Sequence, residues 1–120
     1  MIYGIGIDLA EISRIGQAAQ KNPRFVDKVL TPAEKTVWQQ YSGARQQEYL
    51  AGRFSAKEAF SKAWGTGIGK LSFQDLSILD TAQGRPQVVQ QIFPGQVFIS
   101  ISHTQQYVVT QVLLETNGKE

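Results

Sequence analysis

The chain has 120 residues, of which 42% are apolar and 18% charged, and it contains no cysteine. This length predicts a single domain with one modest core, because two independent cores need more residues. The lack of cysteine excludes a disulfide framework and a thiolate metal site, and no apolar run reaches the roughly 18 residues of a membrane span. The first residues also lack the features of a signal peptide, so we expect a cytoplasmic protein that contacts no membrane.

The formal net charge is +2, but the charges are unevenly distributed. Residues 1–70 carry ten Lys or Arg and six Asp or Glu, whereas residues 71–120 carry two and four. A basic first half favours an acidic partner, which on charge alone is a nucleic acid, a phosphate-rich small molecule or an acidic protein. Aromatic side chains for base stacking are sparse among these basic residues, which argues against nucleic acid.

The first half of the chain predicts one strand followed by helices. Residues 2–8 alternate Ile with Gly and indicate a short strand that ends at Asp8. Helical segments are predicted over residues 9–21, 24–30, 31–40 and 45–64. Thr31 and Glu34 form the signature of a capping box, and the glycine-rich run at 65–69 indicates a left-handed helix end.

The second half of the chain changes to a two-residue apolar period, which indicates strands. Strands are predicted over residues 73–80, 87–92, 96–102 and 106–115. Turns are predicted at residues 83–86 and 103–105. The order of one strand, then helices, then strands predicts an α+β fold with an antiparallel sheet, rather than alternating parallel units.

The segment RFSAKEAFSKAW, residues 53–64, separates into an Ala-rich apolar face and a polar face. The polar face bears Glu58, Ser61 and Lys62, with Lys57 beside it. Glu58 and Lys62 are four residues apart, and the simplest interpretation is an exposed pair that stabilises the helix by about 0.2–0.5 kcal/mol. The alternative is that this face holds a charged ligand.

Asp8 and Glu58 offer the hard oxygen ligands that Mg²⁺ takes together with substrate phosphates. From spacing alone, Asp8 is more simply interpreted as the cap of the helix that follows it. Nothing in the pattern of residues itself brings the two carboxylates together.

Three further features have both a functional and a structural interpretation. His103, the only histidine, is either a base or phosphate donor, or a half-exposed turn residue. The glycines at 65–69 offer amides to a phosphate, although a helix cap is the simpler explanation. A basic band around Phe25 is either a solvated face or a binding surface for an acidic partner. Its cations are Arg14, Lys21, Arg24 and Lys28.

Five stretches of the chain form an ordered set. They are GIGIDLAEISRI at 4–15, LTPAE at 30–34, RFSAKEAFSKAWGTGIG at 53–69, GRP at 84–86 and SISH at 100–103. Each is weakly specific alone. In this order and at these spacings, across nearly the full chain, they resemble the bacterial holo-[acyl-carrier-protein] synthase family of single-domain 4′-phosphopantetheinyl transferases.

The resemblance implies transfer of 4′-phosphopantetheine from coenzyme A to a serine of apo acyl carrier protein, in fatty acid biosynthesis. It implies release of adenosine 3′,5′-bisphosphate, a requirement for Mg²⁺, and a homotrimer with active sites between subunits. The implied catalytic residues are Asp8, Glu58 and Lys62, of which Asp8 and Glu58 hold Mg²⁺ and Lys62 steadies the pyrophosphate. The identity of the general base stays open between Asp8, Glu58 and a metal-bound water. We favour the metal-bound water, and His103 is the alternative base.

The resemblance also implies two sets of binding residues. The positions that correspond to coenzyme A contacts, besides Lys62, are Ser61, Gly65, Arg45, Arg53, Gly84, Pro86 and His103. The positions that correspond to carrier-protein contacts are Arg14, Lys21, Arg24, Phe25 and Lys28. Trp64, Val108 and Thr110 differ from the expected family residues in ways that affect packing, and Gln83 differs next to the nucleotide turn.

Two other functions are compatible with parts of this pattern. A non-catalytic basic module that binds an acidic protein explains the uneven charge, but not the joint match of Asp8, Glu58, Lys62 and His103 to one family. A Mg²⁺-dependent phosphohydrolase acting on a nucleotide is the other alternative, and release of phosphopantetheine to water without a carrier protein would favour it.

Overall fold

The computed structural model describes residues 1–118 of the chain. In chain order the elements are β1 (Ile2–Glu11), α1 (Ile12–Lys21), α2 (Arg24–Val29), α3 (Pro32–Trp38), α4 (Gly43–Trp64), a 3₁₀ turn (Phe73–Asp75), β2 (Leu76–Asp80), β3 (Pro86–Gln90), β4 (Gln96–His103) and β5 (Tyr107–Glu115). Strands β1, β5 and β4 form one antiparallel sheet in that order, and β2 pairs with β3 in a second one. The predicted α+β fold, an antiparallel sheet packed against helices, is confirmed.

The structure differs from the sequence-based prediction at two boundaries. Strand β1 continues past Asp8 to Glu11, which pairs with Tyr107 of β5, so the interpretation of Asp8 as a helix cap is wrong. The strand predicted over residues 73–80 begins only at residue 76, because Ser72 and Asp75 form a capping box around a 3₁₀ turn.

Helix α4 packs on the inner face of β1 at very short range. A Cβ atom added at Gly6 would lie 1.9 Å from the carbonyl oxygen of Ala59, and one added at Gly4 would lie 2.1 Å from that of Ala63. The alternation of glycine along β1 therefore serves the close approach of a neighbouring backbone. Asp8 follows Gly6 by two residues and lies on the same, helix-facing side of the strand.

We expect Gly6→Ala to lower the free energy of unfolding by about 3 kcal/mol, at the upper end of the range for overpacking. The reason is that the clash is with backbone of α4, which has no rotamer to change. Gly52→Ala is the matched control: its Cβ would meet no atom closer than 3.9 Å, and removing a glycine from a helix interior adds about 0.5–1 kcal/mol. Urea denaturation at one protein concentration measures the free energy of unfolding of both variants. Equal changes in the two variants would contradict a clash between Gly6→Ala and the backbone of α4.

A buried ion pair joins α4 to the segments around it. The Nζ atom of Lys57 lies 2.6 Å from Glu34 Oε1, and both side chains are fully buried. Burial lowers the pKa of Lys57, and the charge of Glu34 opposes this shift. The ammonium also donates to the carbonyl oxygens of Val29 and Phe73, and Glu34 Oε2 accepts from the amide of Ile78. The sequence-based placement of Lys57 beside the polar face is therefore wrong.

The predicted capping box at the start of α3 is confirmed, and it contributes to the same cluster. The Thr31 side chain accepts from the Glu34 amide, and Glu34 Oε1 accepts from the Thr31 amide. One carboxylate thus caps a helix and pairs with a buried ammonium at the same time.

The outer face of the three-stranded sheet, opposite α4, is apolar and exposed. Ile5, Ile7 and Leu9 of β1 are 54%, 60% and 66% exposed, and Phe98 of β4 is 50% exposed. Several exposed apolar side chains on one sheet face are typical of an interaction surface. Among the described residues, every helix is too short or too polar to span a lipid bilayer.

Candidate active site

Asp8 is held between two side chains of α4. Its carboxylate is 14% exposed; Oδ2 accepts a hydrogen bond from Ser55 Oγ at 2.8 Å, and Oδ1 accepts one from Lys62 Nζ at 3.1 Å. The Lys62 ammonium also donates to the carbonyl oxygen of Ile7 at 3.0 Å, although its side chain is 52% exposed. The structure thus brings together two of the three predicted catalytic residues.

Glu58, the third, lies on α4 between Ser55 and Lys62 and lines a cleft of about 370 Å³ together with Asp8. Burial raises the pKa of Glu58, the neighbouring charge of Asp8 raises it further, and Lys62 lowers it. Two carboxylates that repel each other across one cleft are a favourable place for a cation.

The donor set fits Mg²⁺. Within residues 1–118 no group of three or more His, Cys, Asp or Glu side chains is arranged to hold a metal by itself. Mg²⁺ binds through only one or two carboxylates and completes its octahedron with waters and substrate phosphates. Asp8 and Glu58 on an open cleft match that requirement.

The same cleft continues to the predicted carrier-protein surface. Arg14 of α1 and Phe25 of α2 line it, and Phe25 packs on Phe54 of α4 with 5.9 Å between the ring centroids. Three further predicted cations are exposed on α1 and α2: Lys21, Arg24 and Lys28. The cleft lined by the two carboxylates therefore reaches the basic band at Arg14 and Phe25.

The residues predicted to bind the nucleotide end of coenzyme A lie elsewhere in the chain. His103 Nε2 and Arg45 Nη1 each lie 3.9 Å from Glu48 Oε2, near the start of α4. Arg45 is about 20 Å from Glu58 along the helix at 1.5 Å per residue. Within one chain, the structure does not bring Arg45 and His103 to the carboxylates.

Arg53 is buried and already engaged. Its Nε donates to the carbonyl oxygen of Ile78 and its Nη2 to Asp80 Oδ1, both at 3.1 Å, and the guanidinium lies 4.1 Å from the centroid of the Tyr49 ring. These contacts tie α4 to the end of β2, which leads into the confirmed turn at residues 83–86. Gly84 has a left-handed φ of 81° in that turn. Pro86 begins β3.

Ser61 and Gly65 lie around the end of α4. Ser61 is fully buried and its hydroxyl donates to the carbonyl oxygen of Glu58 at 2.7 Å, so it does not belong to an exposed polar face. Gly65 ends the helix with a φ of 101°, as predicted, and nothing would lie within 4 Å of a Cβ there. Ligand contacts of Ser61, Gly65, Arg53, Gly84 and Pro86 stay predictions.

Sequence reasoning missed two residues at the site. Ser55 is fully buried and Thr110 of β5 is 1% exposed, and their hydroxyl oxygens are 2.9 Å apart. The only sequence signal was the position of Ser55 on α4, three residues before Glu58, which places both on one side of the helix. The role of Thr110 depends on the register of β5 against β1.

Known proteins resemble this chain over almost its whole length. The model of the 4′-phosphopantetheinyl transferase superfamily matches residues 4–112. A holo-[acyl-carrier-protein] synthase from Streptococcus thermophilus (strain ATCC BAA-491 / LMD-9) is 55% identical over 119 residues, covering 99% of this chain and all of the relative. One from Lacticaseibacillus casei (strain BL23) is 51% identical over 120 residues, covering 100% of this chain and 97% of the relative.

A solved structure gives the same result. The crystal structure of a holo-(acyl-carrier-protein) synthase from Bacillus anthracis str. Ames, in complex with CoA (3′,5′-ADP), superposes with a TM-score of 0.92 at 43% identity. The match covers 98% of this chain and 99% of that one. Together with the carboxylates, lysine and basic band described above, these matches show that the chain belongs to the 4′-phosphopantetheinyl transferase superfamily, in its holo-[acyl-carrier-protein] synthase family.

Proposed function

We propose that this chain transfers 4′-phosphopantetheine from coenzyme A to a serine of apo acyl carrier protein. The products are holo acyl carrier protein and adenosine 3′,5′-bisphosphate, and the reaction belongs to fatty acid biosynthesis in the cytoplasm. The observation that carries the proposal is one cleft lined by Asp8 and Glu58, with Lys62 hydrogen-bonded to Asp8. The wall of this cleft continues into Arg14 and Phe25. The phosphates of coenzyme A would therefore bind at the carboxylates, through the metal ion, next to an acidic protein that contacts the basic wall of the same cleft.

The three proposed catalytic residues each have a defined part in this reaction. Asp8 and Glu58 would hold Mg²⁺, which when bound neutralises the charge of the pyrophosphate. Lys62 is half-exposed on a flexible stem, so its ammonium can turn from Asp8 to a phosphate oxygen. The serine oxygen would attack the β-phosphate of coenzyme A while the bond between the two phosphates breaks, and the serine proton would pass to the general base. Lys62 would steady the α-phosphate of the departing adenosine 3′,5′-bisphosphate. His103 lies beside Glu48 near the start of α4, so within one chain it is distant from Asp8 and Glu58. A base at the metal site, which we favour, agrees with this position.

We further propose that the chain acts as a homotrimer. Two observations support this: the exposed apolar outer face of the sheet, and the separation of Arg45 and His103 from the carboxylates. A neighbouring subunit packed on Ile5, Ile7 and Leu9 would bury the apolar patch and supply nucleotide contacts across the interface. Gly84 and Pro86 would join these contacts, in the turn that follows the strand tied to α4 by Arg53. Sedimentation equilibrium measures the number of subunits directly.

The basic band should guide the carrier protein to the cleft through charge. We expect Arg24→Gln to raise the KM for the carrier protein about two- to fivefold and to leave kcat unchanged, because an exposed charge contributes mainly to encounter. The difference from the unmodified chain should shrink as salt shortens the Debye length to about 3 Å at 1 M. Steady-state kinetics at several salt concentrations measure this.

Lys35→Gln is the control for that variant. It removes the same charge from a lysine that is paired with Asp27 on the neighbouring helix. An equal rise in KM for both variants would show that only the total charge matters, and would contradict docking on the basic band.

The proposed function is tested by the mass of apo acyl carrier protein after incubation with this chain, coenzyme A and Mg²⁺. A gain of one phosphopantetheine group, absent when EDTA is added, is the expected result. Binding of the carrier protein without any mass gain would support the non-catalytic basic module. Release of phosphopantetheine to water without a carrier protein would support a phosphohydrolase.

A further inference from the structure

Two buried hydroxyl groups lie behind Asp8, on the side away from the cleft. In the sheet, Thr110 of β5 is the direct cross-strand partner of Asp8, so both side chains point to the same face. Ser55 of α4 lies between them, 2.9 Å from Thr110 Oγ1 and 2.8 Å from Asp8 Oδ2. Both hydroxyl residues are almost completely buried.

The number of protons determines the direction of these hydrogen bonds. Each hydroxyl has one proton to donate, and a carboxylate oxygen accepts. Ser55 gives its proton to Asp8 Oδ2, its shortest contact and the one with a charged group. Thr110 must then donate to Ser55. The two hydroxyl dipoles are aligned, and each strengthens the hydrogen bond of the other.

The other carboxylate oxygen has a different kind of partner. Asp8 Oδ1 accepts from Lys62, whose side chain is half-exposed and can leave for a phosphate. When Lys62 leaves, Asp8 loses that hydrogen bond. The buried chain of hydroxyls on Oδ2 is out of reach of the ligand and stays in place.

We propose that Ser55 and Thr110 are positioning residues for Asp8. The Thr110–Ser55–Asp8 chain keeps the carboxylate oriented toward the cleft while Lys62 moves between Asp8 and the substrate phosphates. This inference rests on the proposed transferase function, since it assigns Asp8 to a cation and Lys62 to a phosphate.

Two substitutions at one position separate orientation from packing. Thr110→Val keeps the shape and removes the proton donor, whereas Thr110→Ser keeps the donor and removes a methyl group. We expect Thr110→Val to weaken Mn²⁺ binding in the presence of coenzyme A about tenfold and to lower kcat to a similar extent, at an unchanged KM for the carrier protein. Thr110→Ser should match the unmodified chain in all three. A residue that served only packing would give the opposite order.

Ser55→Ala breaks the chain next to Asp8 and should have the larger effect, up to about 100-fold in the same two quantities. Ser77→Ala is its control, because it removes a comparable hydroxyl pair with Thr31, 2.8 Å long, away from the cleft. Isothermal titration calorimetry with Mn²⁺ measures binding, and thermal denaturation checks that each variant is folded. If Ser55→Ala fails to fold, the comparison of Thr110→Val with Thr110→Ser tests the positioning role alone.

The failure of this inference can be told apart from the failure of the proposed function. Unchanged Mn²⁺ affinity and unchanged kcat in Thr110→Val would overturn the positioning role even if the chain is an active transferase. Absence of any transfer by the unmodified chain would overturn the proposed function. It would also overturn the positioning role, unless Mn²⁺ binding still follows the expected order.

Discussion

Replacing Glu58 with Gln should reduce the rate of phosphopantetheine transfer by at least about a thousandfold, or roughly 4 kcal/mol of transition-state stabilisation. The substitution preserves the size of the side chain and removes the charge that, with Asp8, is proposed to hold Mg²⁺ in the cleft. A neutral amide is a poorer ligand for a hard dication and leaves Asp8 as the only carboxylate of the pair. The mass of the carrier protein, followed over time, measures the loss.

Glu11→Gln is the matched control for Glu58→Gln. Glu11 lines the same cleft but is exposed at its edge, so the same chemical change there should alter the rate less than about threefold. Binding of the carrier protein should persist in the Glu58 variant, because the basic band is unchanged. Transfer by Glu58→Gln at a rate close to that of the unmodified chain would rule out the proposed metal site.

The second large effect is on stability. Lys57→Met should lower the free energy of unfolding by about 3–5 kcal/mol, because it leaves the fully buried carboxylate of Glu34 without its cation. The carbonyl oxygens of Val29 and Phe73 also lose their donor, and buried acceptors without partners are costly. Urea denaturation at a fixed protein concentration measures the change, since any association of subunits adds to apparent stability.

Lys35→Met tests whether burial of the ion pair causes the large loss of stability expected for Lys57→Met. The Lys35–Asp27 pair has the same N–O distance as the Lys57–Glu34 pair, 2.6 Å, but its side chains are 37% and 61% exposed. Exposed ion pairs contribute about 0–1 kcal/mol, so Lys35→Met should remain within that range. Similar losses of stability in the two variants would show that distance, rather than desolvation, governs both pairs.

Local rules predicted the features whose partners are near in sequence. The Thr31–Glu34 capping box and the left-handed end of α4 at Gly65 depend on a few neighbouring residues, and both are present. The α+β order followed from the change of apolar period after residue 70. Strand β1 was predicted to end at residue 8, whereas it continues to residue 11. The cause is that Leu9, Ile12 and Ile15 have the spacing of a helix, although Leu9 still belongs to the strand.

Features whose partners are distant in sequence could not be predicted from local patterns. A helical projection put Lys57 beside the polar face, but its long side chain reaches Glu34, 23 residues away, and enters the core. Ser55 and Thr110 are 55 residues apart, and only the packing of α4 on the sheet brings them together. The pairing of Asp8 with Lys62 likewise needs the tertiary structure. Resemblance to a family supplied these catalytic residues, whereas periodicity did not.

The close contact between β1 and α4 also affects the proposed metal site. Asp8 comes from the strand and Glu58 from the helix, so the separation of their carboxylates depends on how closely the two backbones pack. Gly4 and Gly6 allow this close packing because neither carries a Cβ atom. A side chain at either glycine would push α4 away from β1, and would thereby move Glu58 away from Asp8.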